Sequence, residues 1–248
     1  VGAVRPARAH HAPPPRYLGS ALAGRAVAAL PVRTPEPTAP GGEAAPRPSV
    51  TNWATEQGLP ASQVTALART PDGFLWLGSY EGLVRFDGAH FRLHTPEDLP
   101  GLGRGTLVTL GVAPDGALWV GSGRTVLRRA PDGRWTTFGR ADGLPDARIT
   151  ALHVDRVGTV WLGTRVGVWR MAGGRAAPLP TPRYEPPPAV TALTSAPDGS
   201  LWVGTLARGV MRWDGRAWTA RTVRDGLHGD RVDAVHADRD GTIWVGAY

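Results

Sequence analysis

Residues 71–88 read PDGFLWLGSYEGLVRFDG. This string holds a Pro-Asp-Gly turn, an apolar run around Trp76, a Gly-Leu pair and an Arg-Phe-Asp-Gly end. Close variants return four more times. Aligned on Trp76, Trp119, Trp161, Trp202 and Trp244, the copies lie 43, 42, 41 and 42 residues apart. Each Trp is followed two residues later by glycine: Gly78, Gly121, Gly163, Gly204 and Gly246. Each is preceded three residues earlier by another: Gly73, Gly116, Gly158, Gly199 and Gly241. Asp precedes that glycine in four copies, and Val157 takes its place in the third.

A period in the low forties marks a repeat architecture. Within one copy, four short apolar runs are split by turn residues. In the Pro-Asp-Gly turn, Pro presets φ, Asp bonds its own backbone, and Gly accepts positive φ. Runs this short with such turns are strands. Four antiparallel strands repeated about every 42 residues make the blade of a β-propeller. The spacing predicts an all-β chain with four complete four-stranded blades and half of a fifth over residues 51–248; the whole ring is expected to be a seven-bladed propeller, single or, as the family resemblance given below implies, tandem. The first strand of each copy carries a small residue, Ala66, Thr109, Ala151, Ala192 or Ala234, where inner strands crowd. The five repeated Trp and the five following Gly are expected to be blade core. The glycine leaves room for an indole or a neighbouring blade. Trp135, Trp169, Trp213 and Trp218 are read as outer packing.

Composition narrows the chemistry. The 248 residues contain no Cys, which excludes disulfides and thiolate nucleophiles. They also contain no Lys, so all 28 basic residues are Arg, and Walker and Schiff-base lysines are excluded. The net charge of +7 forms no clustered run. Without a recognition motif it reads as coding bias, and nucleic-acid binding is not expected. Residues 1–50, rich in Ala, Pro, Arg and Gly, read as a disordered leader or linker. Residues 17–32 are the nearest approach to a signal segment, interrupted by Arg25. His10 and His11 lie in this arm and are read as incidental.

The strings VTALARTPDGFLWLGSYEGLVRFDG, ITALHVDRVGTVWLGTRVGVWR, VTALTSAPDGSLWVGTLARGVMRWDG and VDAVHADRDGTIWVGAY resemble the two-component regulator propeller repeat. The leaders EQGLPASQV, ADGLPDARI and RDGLHGDRV resemble its Asp-Gly-Leu-Pro inter-blade segment. The second copy departs by lacking the Gly-Leu pair. The resemblance implies a periplasmic or extracellular sensor ahead of a transmembrane helix. Its output would be a histidine kinase, hybrid kinase, diguanylate cyclase or DNA-binding domain. It also implies a homodimer formed through the full-length protein, with membrane contact only through that downstream helix.

The loops between second and third strands and those between blades should share one face. The first set carries Tyr80, Glu81, Arg124, Arg165 and Arg208, and the second Gln63, Arg104, Arg148 and Arg231. Arginines round a mouth fit an anionic small molecule or glycan through bidentate pairing. Solvated surface arginine, in a chain whose only base is Arg, is the competing account. His153 with Asp155, and His236 with Asp238, stand at matching positions and carry either acid–base or metal chemistry, or plain strand-end roles. His90 and His94 are read as surface. Asp72, Asp115, Asp198 and Asp240 are read as turn residues, not a calcium ladder. No catalytic set, metal or cofactor is expected.

The chain reaches Tyr248 just before a third strand of the fifth copy. Residues 49–56, SVTNWATE, look like a lone outer strand. Either the chain is the N-terminal part of a longer protein, or these residues close a five-bladed ring. For function, a non-catalytic sensory input leads. A propeller lyase or glycosidase acting on polysaccharide, or a soluble interaction scaffold, are the alternatives.

Overall fold

The computed structural model describes residues 50–105, 108–181 and 186–248. The predicted leader over residues 1–49 lies outside them. Four four-stranded antiparallel meanders and one two-stranded sheet follow in chain order. Blade 1 is β1 (Val64–Arg69), β2 (Leu75–Ser79), β3 (Leu83–Phe86) and β4 (Phe91–His94). Blade 2 is β5 (Val108–Val112), β6 (Leu118–Ser122), β7 (Thr125–Arg129) and β8 (Trp135–Phe138). Blade 3 is β9 (Ile149–Val154), β10 (Val160–Thr164), β11 (Gly167–Ala172) and β12 (Arg175–Leu179). Blade 4 is β13 (Val190–Ser195), β14 (Leu201–Thr205), β15 (Val210–Trp213) and β16 (Trp218–Arg221). The fifth sheet is β17 (Val232–Ala237) and β18 (Ile243–Ala247). First strands touch in the order β1, β5, β9, β13, β17. This is the predicted β-propeller architecture.

The turns explain the repeated Asp and Gly. Gly73, Gly116, Gly158, Gly199 and Gly241 all sit at φ between 81° and 91°, a region closed to most side chains. Asp115, Asp198 and Asp240 each accept the N–H two residues on, from Ala117, Ser200 and Thr242. Blade 3 has Val157 at this place. There Asp155, two residues earlier, accepts the N–H groups of Val157 and Thr159 instead. The departure in sequence is thus repaired in structure.

The inter-blade leaders repeat as closely. Thr55–Gln57, Arg140–Asp142 and Val223–Asp225 are single 3₁₀ turns, each closed by glycine in the left-handed region. The third residue of each reaches back to cap a backbone N–H: Gln57 to Ala54, Asp142 to Gly139, Asp225 to Thr222.

The core is laminated between blades. Ala151, Val168, Val190, Val203 and Met211 form one layer between blades 3 and 4. Ile149, Val160 and Leu162 pack on Trp119 and Val126 between blades 2 and 3. Each repeated glycine pairs directly with the small residue of the first strand: Gly78 with Ala66, Gly121 with Thr109, Gly163 with Ala151, Gly204 with Ala192, Gly246 with Ala234. A Cβ at Gly78, Gly121, Gly163 or Gly204 would strike Val108, Ile149, Val190 or Val232 of the next sheet. The vacancy is therefore for the neighbouring blade, not for an indole. Thr65, Thr150 and Thr191 add a hydroxyl bond each to the carbonyls of Val108, Val190 and Val232 across the same joints.

Two expectations fail. Residues 50–54 pair in no sheet. An outer strand needs the third strand of its blade as partner, and the fifth sheet has only two. Trp53 instead sits edge-on to Phe86 and Phe91 of blade 1, at 5.2 and 5.4 Å. His94 is not at the surface. It is 8% exposed and stacks on Trp76 at 5.9 Å, its Nε2 buried without a partner.

Candidate functional site

The repeated Trp, a tempting row of stacking platforms, are structural. Trp76 is buried and Trp119 nearly so, while Trp161, Trp202 and Trp244 are half-buried. The indole N–H of Trp76 donates to Thr70, that of Trp161 to Asp155 and that of Trp244 to Asp238. Third-strand arginines lie over these rings, Arg128 over Trp119 and Arg212 over Trp202. The same guanidinium groups pair with turn aspartates, Arg128 with Asp115 and Arg212 with Asp198. Arg129 reaches across to blade 1, pairing with Asp72 and covering Trp76. Arg128, Arg129 and Arg212 are thus part of the blade structure.

These contacts set the turn carboxylates below the usual range. For Asp115 the Ala117 N–H leads, followed by Arg128 against an opposing burial effect. For Asp198 the Ser200 hydroxyl leads, and Arg212 adds to it. For Asp72 burial pushes up, and Thr70 with Arg129 outweighs it.

The histidine–aspartate pairs do not behave as acid–base pairs. His153 Nε2 accepts the Ser195 N–H at 3.1 Å, and the Ser195 hydroxyl stands 2.8 Å from the same nitrogen. The ring is a staple between blades 3 and 4, and the nitrogen that could serve as a base is occupied. Asp155 is taken by Trp161 and the turn. His236 and Asp238 approach to 3.4 Å on an exposed edge, with Asp238 also holding the Trp244 indole. Among the described residues no cluster of His, Asp and Glu could hold a metal.

Burial pulls His153 and His94 below the ordinary imidazole value. Folded chains then bind fewer protons than unfolded ones near and below pH 6.5, so stability is full above that pH and falls as pH drops toward the folded values. Each histidine can contribute at most about 1.4 kcal/mol per pH unit. The turn aspartates act in a separate window, below about pH 3.8, where their contribution is lost in turn. We expect urea midpoints to fall between pH 7 and 5, and the fall to shrink in a His94→Gln, His153→Gln chain. An unchanged slope in that double variant refutes the assignment.

The loop face is assembled as its topology requires. Ser62 bonds Glu81, Arg124 pairs with Asp146 at 2.6 Å, and Ile149 N–H donates to the Gly123 carbonyl. Leu206 N–H reaches Ala189, and Tyr248 N–H reaches Arg231. Tyr80, Gln63 and Arg148 are exposed. Arg231 pairs with Asp233 and lies over the Tyr248 ring, and Arg104 pairs with Glu97. The arginines are spread over successive blades and do not converge on one point. Two of them, Arg165 and Arg208, do share a cleft. A cavity of about 300 Å³ between blades 3 and 4 is lined by both, with Val166, Leu206 and the Pro186–Pro188 run. A second, of about 230 Å³, continues it past Val166 and Pro187 to Trp169 and Pro178–Pro180. Trp218 closes the neighbouring wall, its indole donating to the Pro180 carbonyl at 2.8 Å. Sequence reading found the two arginines. It missed the proline wall, because proline between repeats reads as spacer.

Residues 58–81 and 143–165 match the family described as two-component regulator propeller. Two segments of the chain thus match that family's repeat. Similar solved structures share the propeller fold at low identity. The extracellular domain of a hybrid two-component system from B. thetaiotaomicron superposes with a TM-score of 0.65 and 20% identity, covering 79% of this chain and 29% of that one. A catalytically inactive virginiamycin B lyase from Staphylococcus aureus with quinupristin gives 0.61 and 18%, over 76% of this chain and 64% of the lyase. PorZ, a surface component of the type-IX secretion system of Porphyromonas gingivalis, gives 0.59 and 17%, over 80% and 33%. This chain thus spans less than two thirds of each. No curated protein matches its sequence.

Proposed function

We propose that this propeller is the extracytoplasmic ligand-sensing input of a signal-transduction protein, passing its signal to a kinase or cyclase output. The cleft between blades 3 and 4 carries the reading. It joins an apolar wall of Trp169, Val166, Leu206 and prolines to the guanidinium groups of Arg165 and Arg208. Together the two cavities reach the size of small-molecule sites. Arg165 is exposed and pairs with no carboxylate among the described residues, so an incoming anionic group meets a cation ready to bond. The class of ligand is a small molecule or glycan carrying carboxylate, sulfate or phosphate. Support for a sensor also comes from the family of the repeats and from the extracellular two-component domain that shares the fold. The histidines and aspartates that an enzyme reading would enlist are engaged in turns, indole bonds and one inter-blade staple. An output domain downstream would place the membrane helix there; no helix among the described residues is long and apolar enough to cross a bilayer.

The test is equilibrium binding followed by tryptophan fluorescence, since Trp169 lines the cleft. Sulfated and uronate disaccharides would be titrated beside neutral counterparts. We expect the anionic set to bind, and Arg165→Ala to weaken binding about tenfold or more, the size of a lost charge-assisted bond. Equal binding of neutral sugars removes the anion reading. Turnover of any disaccharide shifts the assignment to a lyase or glycosidase.

A further inference from the structure

The cleft between blades 3 and 4 lies where blade 3 departs from its sister blades. In blades 1 and 4 the glycine at the start of the third strand is covered by the last residue of the fourth. A Cβ at Gly82 would strike the His94 carbonyl, and one at Gly209 the Arg221 carbonyl. At Gly167 of blade 3, among the described residues, nothing from β12 stands within 4 Å of that point. The nearest atoms there belong to Pro187, at 3.2 Å, and to the Trp169 ring, at 3.7 Å. The fourth strand has parted from the third. Its ladder runs to the pairing of Val168 with Leu179 and ends there. Pro180 follows and has no N–H to extend it. Its carbonyl is taken by the Trp218 indole of blade 4 at 2.8 Å. The gap left behind is the inner cavity of about 230 Å³, and it opens past Val166 and Pro187 into the outer one of about 300 Å³.

The walls of this gap are unlike a sugar site. Among the described residues that line it, the polar side chains are Arg165 and Arg208 in the outer cavity and Trp169 and Thr181 in the inner one. Those described residues include no carboxylate and no amide side chain. A sugar brings several hydroxyls, and each one buried against valine, leucine and proline without a partner is costly. A flat apolar ring brings none. Pro178, Pro180 and Pro187 offer pyrrolidine C–H groups, and Trp169 an indole, to the faces and edges of such a ring. Guanidinium groups already seat on rings in this chain, as Arg85 does over Phe74 at 4.4 Å. Arg165 and Arg208 at the mouth can hold an anionic group by bidentate bonds. Resting on the sensor reading of this cleft, we propose that its ligand is an aromatic anion. A flat apolar ring occupies the inner cavity, and the one carboxylate or sulfate it bears lies at the two arginines.

Calorimetric titration of the chain tests this, since heat is read whatever the ligand absorbs. The probes are naphthoate and naphthyl sulfate, which separate the two anionic groups. Naphthamide serves as the neutral isostere, octanoate as an anion without a ring, and a uronate disaccharide as an anion with hydroxyls. One or both naphthyl anions should bind, and the other three should bind about tenfold or more weakly. Arg165→Ala should weaken the naphthyl anion about tenfold. Val166→Ser and Leu206→Ser should each weaken it severalfold. Both side chains are nearly half exposed, so the fold should tolerate the change, and circular dichroism would check this. Arg124→Ala, at a loop-face arginine of blade 2 paired with Asp146, should change nothing. A disaccharide that binds as well as the naphthyl anions, with the same dependence on Arg165, overturns the aromatic assignment and leaves the sensor cleft standing. Octanoate or naphthamide at equal strength overturns the assignment as well. So does binding that ignores Arg165, Val166 and Leu206, since the ring then sits elsewhere. If no probe binds, the aromatic assignment and the cleft reading fall together.

Discussion

Replacing Trp76 by alanine is expected to cost about 3–5 kcal/mol, the usual toll for emptying a buried aromatic site. The ring is 1% exposed. It meets Phe74 at 6.5 Å, His94 at 5.9 Å and, from the next blade, Trp135 at 6.0 Å. Arg129, also from the next blade, covers it at 5.5 Å and continues to Asp72. The indole N–H donates to the Thr70 hydroxyl at 3.0 Å. Alanine would leave a cavity across the joint of blades 1 and 2 and strip Arg129 of half its seat. Trp244→Ala is the control. That ring is half-buried, with no further sheet packed on it among the described residues, so in this chain its loss should cost clearly less. Urea unfolding followed by far-ultraviolet circular dichroism measures both without relying on Trp emission. Equal costs would mean that the repeated Trp stabilises its own sheet and not the joint.

The parts of this propeller that sequence made legible are those written with the period of the fold. Trp-x-Gly and the turn glycine recur every 41 to 43 residues, each with one structural job per blade, while the Gly-Leu leader and its 3₁₀ turn come before every second sheet. What was hidden lies between periods. His153 pairs with Ser195, 42 residues away, because adjacent sheets bring equivalent strands together. Local spacing offered only Asp155, which turned out to belong to Trp161 and the turn. With Val157 in place of Asp, nothing local shows that Asp155, two residues earlier, takes over the Thr159 N–H. His94 reads as a polar strand end, and nothing local shows that Trp76 closes over it. The loop face can be drawn from topology alone, which assigns Tyr80, Glu81, Arg124, Arg165, Arg208, Gln63, Arg148 and Arg231 to it. Which of those arginines share a cleft depends on how Pro186–Pro188 pack beside Val166 and Leu206, and that is a matter of packing.

The sharpest test of laminated packing is one substitution made twice. Gly163→Val and Gly246→Val change the same residue at the same repeat position, two after the Trp in the second strand. In an isolated strand valine is preferred over glycine, by up to about 1 kcal/mol. At Gly163 the new side chain would meet the Val190 side chain of blade 4 and Ala151 of its own sheet. Both belong to a buried layer that also contains Leu201 and Met211. Such overpacking should override the strand preference and cost about 1–3 kcal/mol net, with the joint between blades 3 and 4 opening first. At Gly246, among the described residues, a new Cβ would meet only Ala234, at an ordinary 3.5 Å. There the substitution should be neutral or slightly stabilising. Opposite signs from one chemical change can arise only if the glycine serves the next sheet and not its own. Equal destabilisation at both sites would locate its role within the strand.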